Sequence, residues 1–265
     1  MYIDEIMASP VKTIDKDQPV STALDIMTKF SISALPVTED KLLVGLITEL
    51  DLVDRLGSVR SGKLTPTNIH VSSVMEWAPE TVNPKTDIVD AAKLLVKRRE
   101  RALIVKKGDE IAGILTNTHF VKQCQEINKL FVRDLTIEKP IIVHLTERVI
   151  HARNVLLAEG LPGLPVFDEG KVIGLVTKKR LAVGFAAFRR ETPAKYQSTR
   201  LREFLVENIF TRTELTTHLD QSVGEAAKLL LREHQHLLPV MKDDAMHGIL
   251  IRRSLVKLVA NQFKP

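Results

Sequence analysis

The stretch ALDIMTKFSISALPVTEDKLLVGLITELD, residues 23–51, decides how the rest of the chain is read. Val20, Ala23, Leu24 and Met27 fall at i, i+3, i+4 and i+7, which predicts an amphipathic helix. Two short apolar runs follow, ALPVTE and LLVGLIT, and the polar turn Glu39-Asp40-Lys41 between them predicts a strand pair. After Gly45 comes TELDLVDRL, where a second helix begins, and the extended stretch VKTI leads into the first. The unit is β-α-β-β-α.

The same unit recurs. Ala23, Ala91, Ala152 and Ala226 each open a helical pattern, and thirteen residues after each stands the middle of an apolar triplet. Those triplets are Leu35-Pro36-Val37, Leu103-Ile104-Val105, Leu164-Pro165-Val166 and Leu238-Pro239-Val240, and nine residues further on come Gly45, Gly113, Gly174 and Gly248. Four ungapped matches make a repeat rather than a coincidence. A unit of about 55 residues buries too little apolar surface to stand alone, so the repeats are expected to pair. The boundaries read as 1–57, 69–125, 129–186 and 201–262, with polar linkers at 58–68 and 187–200. Repeats two and three are joined closely, which suggests two pairs docked in one compact body.

Composition narrows the function classes. The 265 residues are 44% hydrophobic and 27% charged, which excludes a disordered chain, and the 5% of aromatic residues gives little support to a base-stacking nucleic-acid binder. The single cysteine, Cys124, has no partner for an intrachain disulfide or a cysteine-based metal site, so a reducing, cytoplasmic setting is expected. The first residues, MYIDEIMASPVKTID, lack the basic-then-apolar pattern of a secretory signal, and no stretch reaches the roughly 18 apolar residues of a membrane helix. A net charge of +5 is a mild bias towards anions such as nucleotides, RNA or an acidic protein surface.

Thr48 and Asp51 carry two readings. As a capping box, the Thr48 hydroxyl takes an orphan helix N–H while the Asp51 carboxylate reaches back. As a binding site, the helix N-terminus offers N–H groups and a positive dipole end to a phosphate, and an ionised carboxylate accepts from two vicinal ribose hydroxyls. The two readings use the same atoms.

The β-α-β-β-α unit, the SALPV strand and the glycine followed by Thr-x-x-Asp resemble the CBS domain, the small module named after cystathionine β-synthase. Two such units form a Bateman module. A chain with four resembles the γ subunit of AMP-activated protein kinase and its stand-alone prokaryotic relatives, which bind adenine nucleotides in clefts between paired units. The resemblance implies an α/β chain of four CBS repeats paired into two Bateman modules, forming one compact disc-like body. It implies AMP, ADP or ATP as a regulatory ligand, and sites that cross between repeats. The Thr-x-x-Asp helix start would come from one unit and the leading strand from its partner.

Transferred position by position, the first site joins Thr48 and Asp51 to Thr81, Arg101 and Ala102, with Arg101 offering a cation to a phosphate. The second joins Thr116 and His119 to Thr13, Ser33 and Ala34, with His119 in place of the ribose aspartate. The third joins Thr177 and Arg180 to Thr216 and His236. There Lys178, Lys179 and Arg180 crowd a helix start, a placement that costs about 0.3–1 kcal/mol per exposed cation unless solvent screens it or an anion sits there. The fourth joins Ile251 and Ser254 to Ile142, Pro162 and Gly163; no ribose recognition is expected of it, although Arg252 and Arg253 are placed to reach phosphates.

Catalysis has little support, since no Ser-His-Asp elbow, HExxH or P-loop is present. His234 and His236 form the one close histidine pair and lack the third and fourth ligands of a metal site. Trp77 is expected to pack at the start of repeat two or to stack on a base. The reading is a non-catalytic nucleotide-responsive module acting on a partner protein, as a monomer or homodimer. A basic protein associated with nucleic acid and an interaction scaffold with empty clefts are the other two classes.

Overall fold

The structure, a computed structural model, describes residues 1–59, 65–97, 102–232 and 235–261. Repeat one runs β1 (Ile14–Asp15), α1 (Val20–Phe30), β2 (Ala34–Glu39), β3 (Leu42–Thr48) and α2 (Glu49–Leu56), and β4 (Glu76–Trp77) follows it. Repeat two has β5 (Thr81–Val82), α3 (Ile88–Lys97), β6 (Leu103–Lys107), β7 (Glu110–Leu115) and α4 (Asn117–Lys122), followed by β8 (Ile137–Glu138). Repeat three has β9 (Val143–His144), α5 (Val149–Glu159), β10 (Gly163–Asp168), β11 (Lys171–Thr177) and α6 (Lys178–Glu191). A short helix α7 (Gln197–Leu201) and β12 (Thr211–Arg212) come before β13 (Thr217–His218), α8 (Val223–Arg232), β14 (Leu237–Lys242), β15 (Ala245–Ile251) and α9 (Arg252–Ala260) of repeat four.

Local chemistry explains the units. In α1 the residues that fall on one helical face, Val20, Ala23, Leu24 and Met27, are the buried ones. Ser31 ends the helix in the left-handed region, its N–H donating to the carbonyls of Met27 and Thr28. β2 and β3 form an antiparallel pair in the register Ala34↔Thr48 and Val37↔Gly45, and β1 lies parallel to β2. Asp40 and Lys41 both have positive φ, as a two-residue hairpin turn needs to match strand twist. Glu169 and Gly170 do the same in repeat three.

The repeated glycine has a single cause. β4 crosses antiparallel to β3 at Gly45↔Trp77, and a Cβ on Gly45 would overlap Met75 Sδ and lie 3.0 Å from the Glu76 carbonyl. At Gly174 the crossing strand is β12, at Gly248 it is β8, and at Gly113 the side chain of Met7 from the N-terminal segment. Three of the sheets are thus completed by a strand that leads into another repeat. Residues 76–77, numbered with repeat two along the chain, hydrogen-bond to the sheet of repeat one.

The chain divides into two units, and sequence neighbours are not what each one holds together. The odd unit contains Lys12–Pro79 and Ile142–Thr213, and so repeats one and three. The even unit contains Met1–Val11, Glu80–Ile141 and Glu214–Pro265, and so repeats two and four. In the odd unit α2 packs on α6, with α1 and α5 against both. Leu52, Val53 and Leu56 of α2 and Leu181, Ala182 and Phe185 of α6 are fully buried there. In the even unit α3 and α4 pack on α9, and α4 also on α8. Phe120 of α4 joins a cluster with Ile3, Leu95 and Val256, while Val121 and Cys124 join another with Leu230 and Leu255. Burial pushes the Cys124 thiol up to about 12, so it stays unreactive at neutral pH.

The stretch read as a linker at 187–200 is largely helical. α6 continues to Glu191 because Arg189, polar in the sequence, is buried at 2% exposure and bonded. Its guanidinium donates to the carbonyls of Leu56 at 2.9 Å and Ser58 at 2.6 Å and to Gln197 Oε1 at 2.9 Å. Gln197 returns its amide to the carbonyls of Arg189 and Thr192. Arg153 of α5 closes the same end of α2, donating to the carbonyls of Val53 and Asp54 and to the Asp54 carboxylate. The orphan carbonyls at the C-terminus of α2 are therefore satisfied by repeat three.

Candidate functional site

Thr48 is the N-cap of α2, at φ −127° and ψ 165°, and is 7% exposed. Its backbone N–H donates to Asp51 Oδ2 at 2.8 Å and its hydroxyl to the same oxygen at 2.7 Å, while the Asp51 N–H donates to Thr48 Oγ1 at 3.4 Å. The capping reading of the pair is therefore realised in full. These bonds also fix the carboxyl group at the helix N-terminus, where the positive dipole end favours negative charge. For a ligand phosphate to receive the Thr48 hydroxyl, the hydroxyl must turn from Asp51 to the ligand.

The strand residue opposite Thr48 is Ala34, and the carbonyl of Ser33 accepts the Glu49 N–H at 3.0 Å. The same bond recurs from Lys178 to Pro162 at 3.1 Å and from Arg252 to His236 at 3.2 Å. Repeats one, three and four thus place the helix start beside their own leading strand. Thr13 is exposed just before β1, and Thr216 half-buried just before β13. Thr81 is exposed on β5 opposite Ile104, and Ala102 is buried before β6. Thr48 and Asp51 belong to the odd unit, Thr81 and Ala102 to the even one. Arg101 and His234 lie outside the described residues.

The other three helix starts differ from the first. Thr116 caps α4, and His119 takes the place of the aspartate by accepting the Thr116 N–H on Nδ1 at 2.9 Å. That bond puts the ring proton on Nε2. Burial, with help from Lys122, lowers the imidazole to about 4, so the ring is neutral at pH 7 and offers a donor where Asp51 is an acceptor. Thr177 caps α6 by accepting the Arg180 N–H at 3.2 Å, but Arg180 Nε donates to the Ile209 carbonyl at 2.9 Å. Ile251 has no capping side chain. Ser254, three residues on, is buried. Arg252, expected to reach a phosphate, is instead 5% exposed and turned inward, donating to Thr118 Oγ1 at 2.7 Å and to the Leu230 carbonyl at 2.9 Å.

One functional candidate is invisible in the sequence. Glu49, the first residue of α2, is only 7% exposed, and burial raises its carboxyl to about 7 against the pull of Lys179 and Lys178. The lysines crowding the start of α6 thus have a carboxylate near them, from a residue that reads as an ordinary helix-start acid. Trp77 is exposed on β4. Among the described residues no group of three or more His, Cys, Asp or Glu side chains is arranged to hold a metal ion, and no helix is long and apolar enough to cross a membrane.

Comparison with known proteins agrees with this architecture. The chain matches the CBS domain over residues 3–58, 71–126, 132–185 and 206–261. It is 24% identical over 283 residues to protein MJ1225 of Methanocaldococcus jannaschii, across 98% of this chain and 100% of that one. MJ1404 of the same organism is 25% identical over 284 residues, spanning 98% of this chain and 62% of the relative. The crystal structure of MJ1225 superposes with a TM-score of 0.82 at 18% sequence identity, covering 97% of this chain and 99% of that chain. A conserved protein from Pyrococcus horikoshii superposes at 0.63 with 19% identity, covering 98% and 100%. At these identities the structural likeness establishes the fold, and the four matched segments take in most of the sequence. The chain belongs to the CBS-domain family and carries four CBS domains in tandem.

Proposed function

We propose that this protein is a non-catalytic regulatory module that binds an adenosyl ligand, AMP, ADP, ATP or a relative of them, and passes its occupancy to a partner protein. CBS domains characteristically serve as adenosyl-responsive regulatory elements, and this chain carries four of them. The observation that carries the reading is the Thr48–Asp51 pair, a hydroxyl and a carboxyl group fixed at the start of an eight-residue helix. In the proposed complex Asp51 accepts from the ribose hydroxyls and the α2 N-terminus faces the phosphate. The helix starts at Thr116 and His119 and at Thr177 and Arg180 are proposed to bind more weakly, because neither presents a carboxylate.

Calorimetric titration of nucleotide-stripped protein with AMP, ADP, ATP and S-adenosylmethionine tests this, with Asp51→Ala as the comparison. Saturable binding weakened by about 1–3 kcal/mol in the variant is the expected result, from loss of charge-assisted hydrogen bonds. No binding of any of the four would overturn the reading. A basic surface contacting nucleic acid would show itself instead by steep salt dependence and indifference to Asp51.

A further inference from the structure

Glu49 follows Thr48 directly, and its backbone N–H is held by the Ser33 carbonyl. Its side chain is buried where α2 meets α6, and Lys178 and Lys179 in the first turn of α6 are the charged groups that act on it. The neighbouring Asp51 carboxylate is turned back onto Thr48. At the far end of α2, Arg153 of α5 is committed to Val53 and Asp54, and Arg189 of α6 to Leu56 and Ser58. A buried carboxylate therefore sits one residue from the proposed phosphate position, balanced against two lysines.

We infer that Glu49 sets the ligand charge that the Thr48 site accepts: an anionic ligand binds there together with one proton from solvent, which converts the Glu49 carboxylate to the neutral acid. This rests on the functional reading above and adds a specificity residue to it. Bringing a phosphate beside a buried carboxylate adds a like charge, and a phosphate that draws Lys178 or Lys179 towards itself removes the cations that hold the carboxylate ionised. Both effects favour the protonated acid. With the carboxyl already raised to about 7, the protonation costs little near neutrality. An uncharged adenosyl ligand exerts neither effect, and a cationic one favours the carboxylate, so neither binds with proton uptake.

The test is a carbon-detected NMR titration of the Glu49 carboxyl in the full chain, alone and with saturating AMP or S-adenosylmethionine. The expected result is a midpoint near 7 in the free protein, moved up by about one pH unit by AMP and not moved up by S-adenosylmethionine. Correspondingly, AMP affinity of the wild type should fall by about fourfold between pH 7 and pH 8.5, above the ~6 of the phosphate's own second ionisation, and that of Glu49→Gln should stay level. AMP binding with an unmoved Glu49 midpoint would overturn the inference and leave the functional reading intact. Absence of AMP binding would overturn both. The titration needs only the wild-type chain, so it decides the matter even if Glu49→Gln does not fold.

Discussion

Thr48 and Glu49 show how adjacent residues can serve stability and binding in opposite ways. Thr48 is satisfied within its own helix, and Thr48→Val is expected to cost about 1 kcal/mol through the lost cap, read from denaturant unfolding. Glu49 is held at a cost. Its carboxyl is raised from 4.5 to about 7, so between those values the folded chain keeps a proton that the unfolded chain releases. The stability this proton contributes is present at low pH and is lost as pH rises to about 7. The thermal midpoint of the wild type is therefore expected to fall relative to that of Glu49→Gln between pH 5 and pH 7.5; parallel profiles for the two proteins would contradict the assignment. Thr-x-x-Asp was legible because a cap is a local pattern. The burial of Glu49 was not, since it depends on α6, which lies far along the chain.

At the scale of elements, α2 is held by other parts of the chain at both ends. Its start faces Lys178 and Lys179, and its last carbonyls accept from Arg153 and Arg189. Arg189→Met is expected to destabilise the fold by about 1–3 kcal/mol, because the Leu56 and Ser58 carbonyls lose their buried donor. Phe185→Ala, which removes a fully buried ring on the same helix, is expected to cost about 3–5 kcal/mol. Equal unfolding midpoints for Arg189→Met and wild type would show that water replaces the guanidinium. Here the sequence was readable for helices and hairpins, whose period is set by neighbouring residues, and silent on the helical turns within 187–200. Arg189 and Gln197 are polar and so read as linker, yet each is buried because it bonds to backbone groups that the sequence does not show.

For the whole molecule, the fourfold repeat was legible from spacing alone, and the packing of helices was not. The spacing delimits each repeat, but does not show that α2 packs on α6 or that α3 and α4 pack on α9. Helix faces reveal that they are apolar without revealing which partner covers them. A half-chain of residues 1–128 would carry α2 without α6, and α3 and α4 without α8 and α9. It is expected to self-associate through those uncovered faces, as sedimentation would show. A monomeric, cooperatively folded half-chain would contradict the packing described.

The most direct test of the proposed site separates cap from ligand in one variant. Asp51→Glu keeps the charge and the preferred acid of a capping box but moves the carboxylate by one methylene. Unfolding and AMP titration on the same stripped preparation should give stability within about 0.5 kcal/mol of wild type and AMP binding weakened by about tenfold or more. Wild-type affinity for AMP in this variant would contradict the account and leave Asp51 with its capping role alone.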